Sequence, residues 1–141
     1  MKRGFTLVEI MIAVAVLVVL LSLALPNLFR SRVTAMEVIA LANTKTIANA
    51  CQFYRGNQGT YPDLLSDLSA SNVPYVDSQL SSGSKQGYEF IYSRTSVNSF
   101  TLNANPTSGE LLNGRHFYAD ESGVIRGRAD GPAGPGDEII Q

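Results

Sequence analysis

Apolar residues fill the start of the chain almost without interruption. Positions 5–25, FTLVEIMIAVAVLVVLLSLAL, are 21 residues with a single charge, Glu9. A helix rises ~1.5 Å per residue, so the run covers ~32 Å, the hydrocarbon thickness of a bilayer. It predicts a membrane-spanning helix, because a chain of 141 residues has too little else to bury such a helix on every side. Pro26 follows; lacking an N–H, it deprives the Ser22 carbonyl of its helical partner, which predicts a bend at Ser22 and Pro26 rather than an end. Beyond it the period becomes that of an amphipathic helix. Apolar residues at 29, 33, 36, 40, 47, 51 and 54 form one stripe, and Arg30, Arg32, Glu37, Lys45 and Asn49 fall mostly off it. The helix is expected to run to about Arg55, where Gly56-Asn57-Gln58-Gly59 tolerate a left-handed turn and Pro62 bars its return.

The remaining chain changes character twice. Residues 62–68, PDLLSDL, read as a short helix pinned by Leu64, Leu65 and Leu68, and residues 69–87 as a connecting loop rich in Ser, Gly, Gln and Asp. After Gly87 the period is two. Tyr88, Phe90 and Tyr92 alternate with polar or outward positions, as do Phe100, Leu102 and Ala104. Residues 115–119 and 124–126 make a third and a fourth strand around a tight turn at Asp120-Glu121-Ser122-Gly123. Short links favour an antiparallel meander. Its apolar face and the helical stripe are each unsatisfied alone, so the expected fold is α+β: a long N-terminal helix, half transmembrane and half amphipathic, packed on about four antiparallel strands. The tail from Gly127, rich in Gly and Pro, is expected to be irregular.

Glu9 stands out, because an ionised carboxylate among Ile, Val and Leu costs several kcal/mol unless it finds a partner or snorkels to the interface. Its surroundings carry a resemblance. Lys2 and Arg3, then Gly4, then Phe5-Thr6-Leu7-Val8-Glu9, then an apolar run closing at Pro26, resemble the type III signal of type IV pilins and of the pseudopilins of type II secretion. The resemblance covers about the first 30 residues. It implies that a prepilin peptidase cuts between Gly4 and Phe5 on the cytoplasmic side and that the new Phe5 amine is methylated. An ordinary secretory signal is lost with its apolar region; here the apolar helix stays in the product. The implied organisation is a leader at 1–4, an assembly helix at 5–26 and a globular head at 27–141.

The resemblance further implies a structural subunit of a type IV pilus-like filament. The subunit would be anchored by a single pass in a bacterial inner membrane, N-terminus cytoplasmic, and then drawn into a periplasmic or extracellular filament. Its partners would be copies of itself, the prepilin peptidase and an inner-membrane assembly platform. In the dry filament interior Glu9 would pair with the Phe5 amine of the neighbouring subunit. A major pseudopilin of type II secretion and a DNA-uptake minor pilin are the alternatives.

Charge and chemistry narrow this only a little. Net charge is −1, and loss of Lys2 and Arg3 makes it −3, which gives no electrostatic case for nucleic-acid binding. A local basic strip would need Arg94, Arg115, Arg126 and Arg128 to be brought together. Lys2 and Arg3 before the span are matched by Arg30 and Arg32 after it, so the charge rule leaves orientation tied and the resemblance decides it. Cys51 is the lone cysteine, excludes an internal disulfide and reads as a buried apolar residue. That departs from the many pilins whose C-terminal loop is disulfide-closed. His116 is the lone histidine, mid-strand and without cysteine company, so no zinc site or enzyme chemistry is indicated. Asp120, Asp130 and Asp137, with Glu121 and Glu138, lie among loops whose carbonyls could complete an oxygen shell for Ca2+, and the tail is loosely similar to the calcium loop of major pseudopilins; solvated loop acids are the alternative. No other cofactor is expected. Phe5, Phe29, Phe53 and Tyr54 read as packing residues rather than as an aromatic conduit.

Overall fold

A computed structural model describes residues 4–107 and 112–141. It divides into two units, Met1–Arg32 and Val33–Gln141. One helix, α1 (Leu7–Gln58), supplies nearly all of the first unit and the start of the second, and it continues through Pro26. It ends three residues later than the sequence suggests. Gly59 adopts φ 81°, and its N–H closes on the Arg55 carbonyl at 2.8 Å, a left-handed cap that a side-chain-bearing residue would disfavour.

The second unit is the head. After α1 come a 3-10 turn (Leu65–Leu68), a short α2 (Ser78–Ser81), and strands β1 (Ser84–Lys85), β2 (Tyr88–Ser96), β3 (Ser99–Pro106), β4 (His116–Asp120), β5 (Ile125–Arg128) and β6 (Glu138–Ile139). All neighbouring strands pair antiparallel in the order β1-β2-β3-β4-β5-β6. The α+β meander holds, with six strands in place of four. The additional strands are the two-residue edges, β1 inside the expected loop and β6 inside the expected irregular tail. The loop also contains α2, capped by Asp77, whose Oδ1 accepts the Leu80 N–H at 2.8 Å and whose Oδ2 pairs with Lys85 at 2.7 Å.

The tail is ordered by contacts that only the folded chain provides. The Ile140 N–H donates to the Ile125 carbonyl at 2.8 Å, and the Ile125 N–H donates to Gln141 at 2.7 Å. Gly127 leaves a notch that Ile140 fills, since an added Cβ there would collide with the Ile140 side chain. The core lies between the stripe of α1 and one sheet face. Ala40, Thr44, Ile47, Ala48, Ala50 and Cys51 are buried from the helix. They meet Tyr88 and Phe90 of β2, Phe100, Leu102 and Ala104 of β3, Phe117 and Ala119 of β4, and Ile125 of β5 in one cluster.

Large and small side chains alternate across the strands. Phe90, Ala104, Phe117 and Gly127 stand in one cross-strand row, so the inner face interdigitates rather than crowds. The buried Thr44 hydroxyl donates back to the Ala40 carbonyl at 2.8 Å and is satisfied by it. Three expectations are corrected here. Phe29 is 41% exposed, so the packed stripe begins at the half-buried Val33. Phe53 is 68% exposed and packs against nothing in the core. Leu64 is 64% exposed, and only Leu65 and Leu68 pin the 3-10 turn.

Candidate functional site

The N-terminal unit holds the residues singled out by the signal. Gly4 and Phe5 precede α1 and are non-helical, and Phe5 is 84% exposed, so the peptide bond between them lies outside any helical hydrogen-bonding ladder. Thr6 is the residue that starts the helix. Its N–H and hydroxyl both donate to Glu9 Oε2, at 2.9 and 2.8 Å, and its Oγ1 accepts the Glu9 N–H at 3.3 Å. This is a reciprocal capping box, which satisfies two of the donors that a helix start leaves open. Glu9 therefore has a partner within its own chain. The Thr-x-x-Glu spacing that signals the box is present in the sequence, and Thr6 is the functional residue that the reading of Glu9 as a lone charge misses. Both Thr6 groups reach Oε2, so Oε1 keeps its acceptor capacity for an amine.

Beyond this cap the helix is apolar on all sides and uncovered. An 18-residue window reaches a mean hydropathy of 2.9 with 0% of it buried. Ile10, Val14, Leu17, Leu21 and Leu25 are each between 46% and 57% exposed, as expected of a surface built for hydrocarbon or for other helices. Near Pro26, two side chains bond back to carbonyls of the preceding turn, neither of them the Ser22 carbonyl that the proline leaves without its helical N–H. Ser22 Oγ donates to the Val19 carbonyl at 2.7 Å, and Asn27 Nδ2 lies 3.4 Å from the Leu23 carbonyl.

The other candidates fall in the head and do not converge. Asp120 Oδ1 accepts from the Ser122 N–H at 2.9 Å and from the Ser122 hydroxyl, forming the expected turn into β5. Asp137 Oδ2 accepts the Gly134 N–H at 2.8 Å, and Asp130 is exposed. Among the described residues no three His, Cys, Asp or Glu side chains are grouped to hold a metal. Arg94 on β2 is paired with Asp63 and stands apart, with β3 and β4 between it and Arg126 and Arg128 on β5, whereas the Arg115 side chain lies against Gly127 between those two. Arg115 precedes β4 at the side of α1, where Glu37 Oε1 accepts its backbone N–H at 2.8 Å. His116 Nδ1 lies 2.8 Å from Asn105 Oδ1, and partial burial holds its pKa below the usual histidine value. Cys51 is fully buried and its thiol is pushed up to about 12 by desolvation, so it is unreactive.

Comparison with known proteins agrees with this distribution. Residues 1–25 match the family described as the prokaryotic N-terminal methylation motif. The type II secretion system core protein G of Escherichia coli (strain K12) is 32% identical over 88 residues, 62% of this chain and 61% of that protein. The protein of the same name from Pseudomonas aeruginosa is 33% identical over 88 residues, 62% of each chain. The type IV major pilin protein PilA of Myxococcus xanthus is 30% identical over 67 residues, 48% of this chain and 30% of that one. The chain thus spans about three fifths of the length of the core G proteins it matches. No solved structure gives a significant match. With a methylation signal, a long uncovered apolar helix and an antiparallel head, the chain is similar to type IV pilins and type II secretion core G proteins, over part of their length.

Proposed function

We propose that this protein is the structural, non-enzymatic subunit of a type IV pilus-like filament, anchored in a bacterial inner membrane until it is polymerised. The observation that carries the reading is the pairing of a methylation signal with an apolar helix that the chain itself leaves 0% buried. Such a helix can leave lipid for a bundle of identical helices at little net hydrophobic cost, because packed side chains replace acyl chains. Cleavage between Gly4 and Phe5 supplies the amine that pairs with Glu9 of a neighbouring copy, and the heads then cover the outside. The partners are other copies, the prepilin peptidase and the assembly platform. Mass spectrometry of membrane or filament protein tests this. A mature chain beginning at an N-methylated Phe5 supports it, and one beginning at Met1, or after Leu25, overturns it.

A second reading, the major pseudopilin of a type II secretion system, is favoured by the 88-residue similarity to core protein G against 67 residues for the pilin. Under it the filament is short and periplasmic and drives protein secretion, and the loops holding Asp120, Asp130 and Asp137 take Ca2+. The genome neighbourhood separates the two: retraction and pilus assembly genes fit the first, and a secretin-linked secretion operon fits the second.

A further inference from the structure

The C-terminal tail is fastened by a positive charge that the chain itself supplies. Arg126 stands on β5 between Tyr118 of β4 and Ile139 of β6. Phe117, next to Tyr118, packs in the core under α1, so Tyr118 and its cross-strand partner Arg126 point to the opposite face of the sheet. That face is not bare. Tyr118 is 7% exposed and Ala133 of the tail 6%, and neither belongs to the core cluster under α1. Arg126 Nη1 donates to the Asp137 carbonyl at 3.3 Å, at the point where the tail turns back to become β6.

The groups around this contact suit a guanidinium and not a metal ion. Ca2+ takes ~6–8 oxygen ligands, and the acids that could offer them brace their own turns instead. Asp137 Oδ2 accepts the Gly134 N–H at 2.8 Å, Asp120 Oδ1 accepts from the Ser122 N–H at 2.9 Å and from its hydroxyl, and Asp130 is exposed. Among the described residues these carboxylates do not gather into a group of three. An ion on the Asp137 carbonyl would lie ~2.3–2.6 Å from its oxygen and therefore within ~6 Å of Arg126 Nη1, cation against cation. Arg126 Nε is buried without a hydrogen-bond partner among the described residues. It is a donor that wants an acceptor, and a metal ion cannot satisfy it.

We infer that the Arg126 guanidinium is the built-in cation of the tail: it holds the turn at Asp137 against β5, and the head closes its C-terminus without calcium. A charged donor on a carbonyl does here what a bound ion does in a calcium loop, with no dependence on the ion's concentration. Once the turn is held, the last residues complete the closure, with the Ile140 N–H on the Ile125 carbonyl at 2.8 Å and the Ile125 N–H on Gln141 at 2.7 Å. The inference rests on neither filament reading, and it stands against the calcium loop that the secretion reading includes.

Hydrogen exchange on the full chain in detergent micelles tests it, read at the amides of Asp137, Ile140 and Gln141, each of which donates within the closed tail. In the wild type these amides should exchange at one rate in a chelator and in millimolar Ca2+. Arg126→Met keeps an apolar stem and loses the charge; it should speed their exchange by ~10-fold or more while the amides of β2 and β3 stay slow. Should Arg126→Met loosen β2 and β3 as well, Arg126→Lys decides, because it keeps a charge and a donor and should keep the tail slow. Calcium that slows tail exchange in the wild type overturns the inference and favours the secretion reading. A tail as slow in Arg126→Met as in the wild type, or as fast in Arg126→Lys as in Arg126→Met, overturns the role of the charge. Filament formation enters none of these readouts, so failure of the filament reading is seen separately.

Discussion

Ile47 reports most sharply on the packing of the helix against the sheet. It is 0% exposed, lies on the buried stripe of α1, and belongs to the cluster that joins the helix to Phe100, Leu102, Phe117 and Ile125. Replacing it with Ala removes three carbons from a close-packed site and leaves a cavity, at a cost of ~2–5 kcal/mol. A domain of this size has a total stability of only ~5–15 kcal/mol, and each kcal/mol moves its melting temperature by ~4–8 °C. Ile47→Ala in a soluble fragment of residues 27–141 should therefore lower Tm by ~10–25 °C in calorimetry, and Ile47→Asp should abolish the cooperative transition by placing a charge in the core. Phe53→Ala is the control. Phe53 is a larger side chain on the same helix but is 68% exposed, so its loss should cost under ~0.5 kcal/mol. If Ile47→Ala shifts Tm no more than Phe53→Ala does, the head is not held together across this face and the architecture is wrong.

Two further outcomes follow from the head's chemistry. The buried Cys51 thiol titrates at about 12 when folded and at its ordinary 9.0 when unfolded. The folded state thus holds its proton more tightly, so stability is intact below pH 9 and falls as pH rises toward 12; Tyr88, also pushed up to about 12 by burial, adds to the loss. Denaturant titrations across that window measure it, and a thiol reagent at pH 8 should label Cys51 only after unfolding. Calcium divides the two functional readings: the secretion reading predicts a rise in the melting temperature of the head at millimolar Ca2+, while the pilus-like reading predicts none.

Features set by local periodicity were legible in the sequence, and features set by distant contacts were not. The apolar run at 5–25, the stripe from Val33 to Tyr54 and the alternation in β2 and β3 each repeat over several residues, so each declares its own structure. β1 and β6 are two residues long and exist only as ladders, Lys85 against Tyr88 and Glu138 against Gly127. No periodicity can show in two residues. The tail is fixed by the fit of Ile140 into the notch at Gly127, a contact between positions 13 residues apart whose composition suggests disorder. Leu64 follows the same logic in reverse: its neighbours decide that it faces outward, and its own identity does not. Within the signal, Gly4, Phe5, Glu9 and Pro26 are readable in the sequence, and the cleavage between Gly4 and Phe5 is what the resemblance implies. The Thr6 cap is readable too, from the Thr-x-x-Glu pattern, once Glu9 is considered as a helix-starting residue as well as a buried charge.

The central claim is that subunits polymerise through their N-terminal helices, with Glu9 set against the Phe5 amine of a neighbour. Thr6 occupies Oε2 of Glu9, and an amine on the free Oε1 would form a charge-assisted pair that strengthens as water is excluded. An unpaired carboxylate would oppose entry by several kcal/mol. Counting filaments by electron microscopy in cells carrying wild-type or Glu9→Val protein, with cleavage checked in the same cells, is the direct measurement. The account predicts normal insertion and cleavage at Phe5 in both, with filaments sharply reduced in the variant. Filaments of wild-type number and length from a fully cleaved Glu9→Val protein would contradict it.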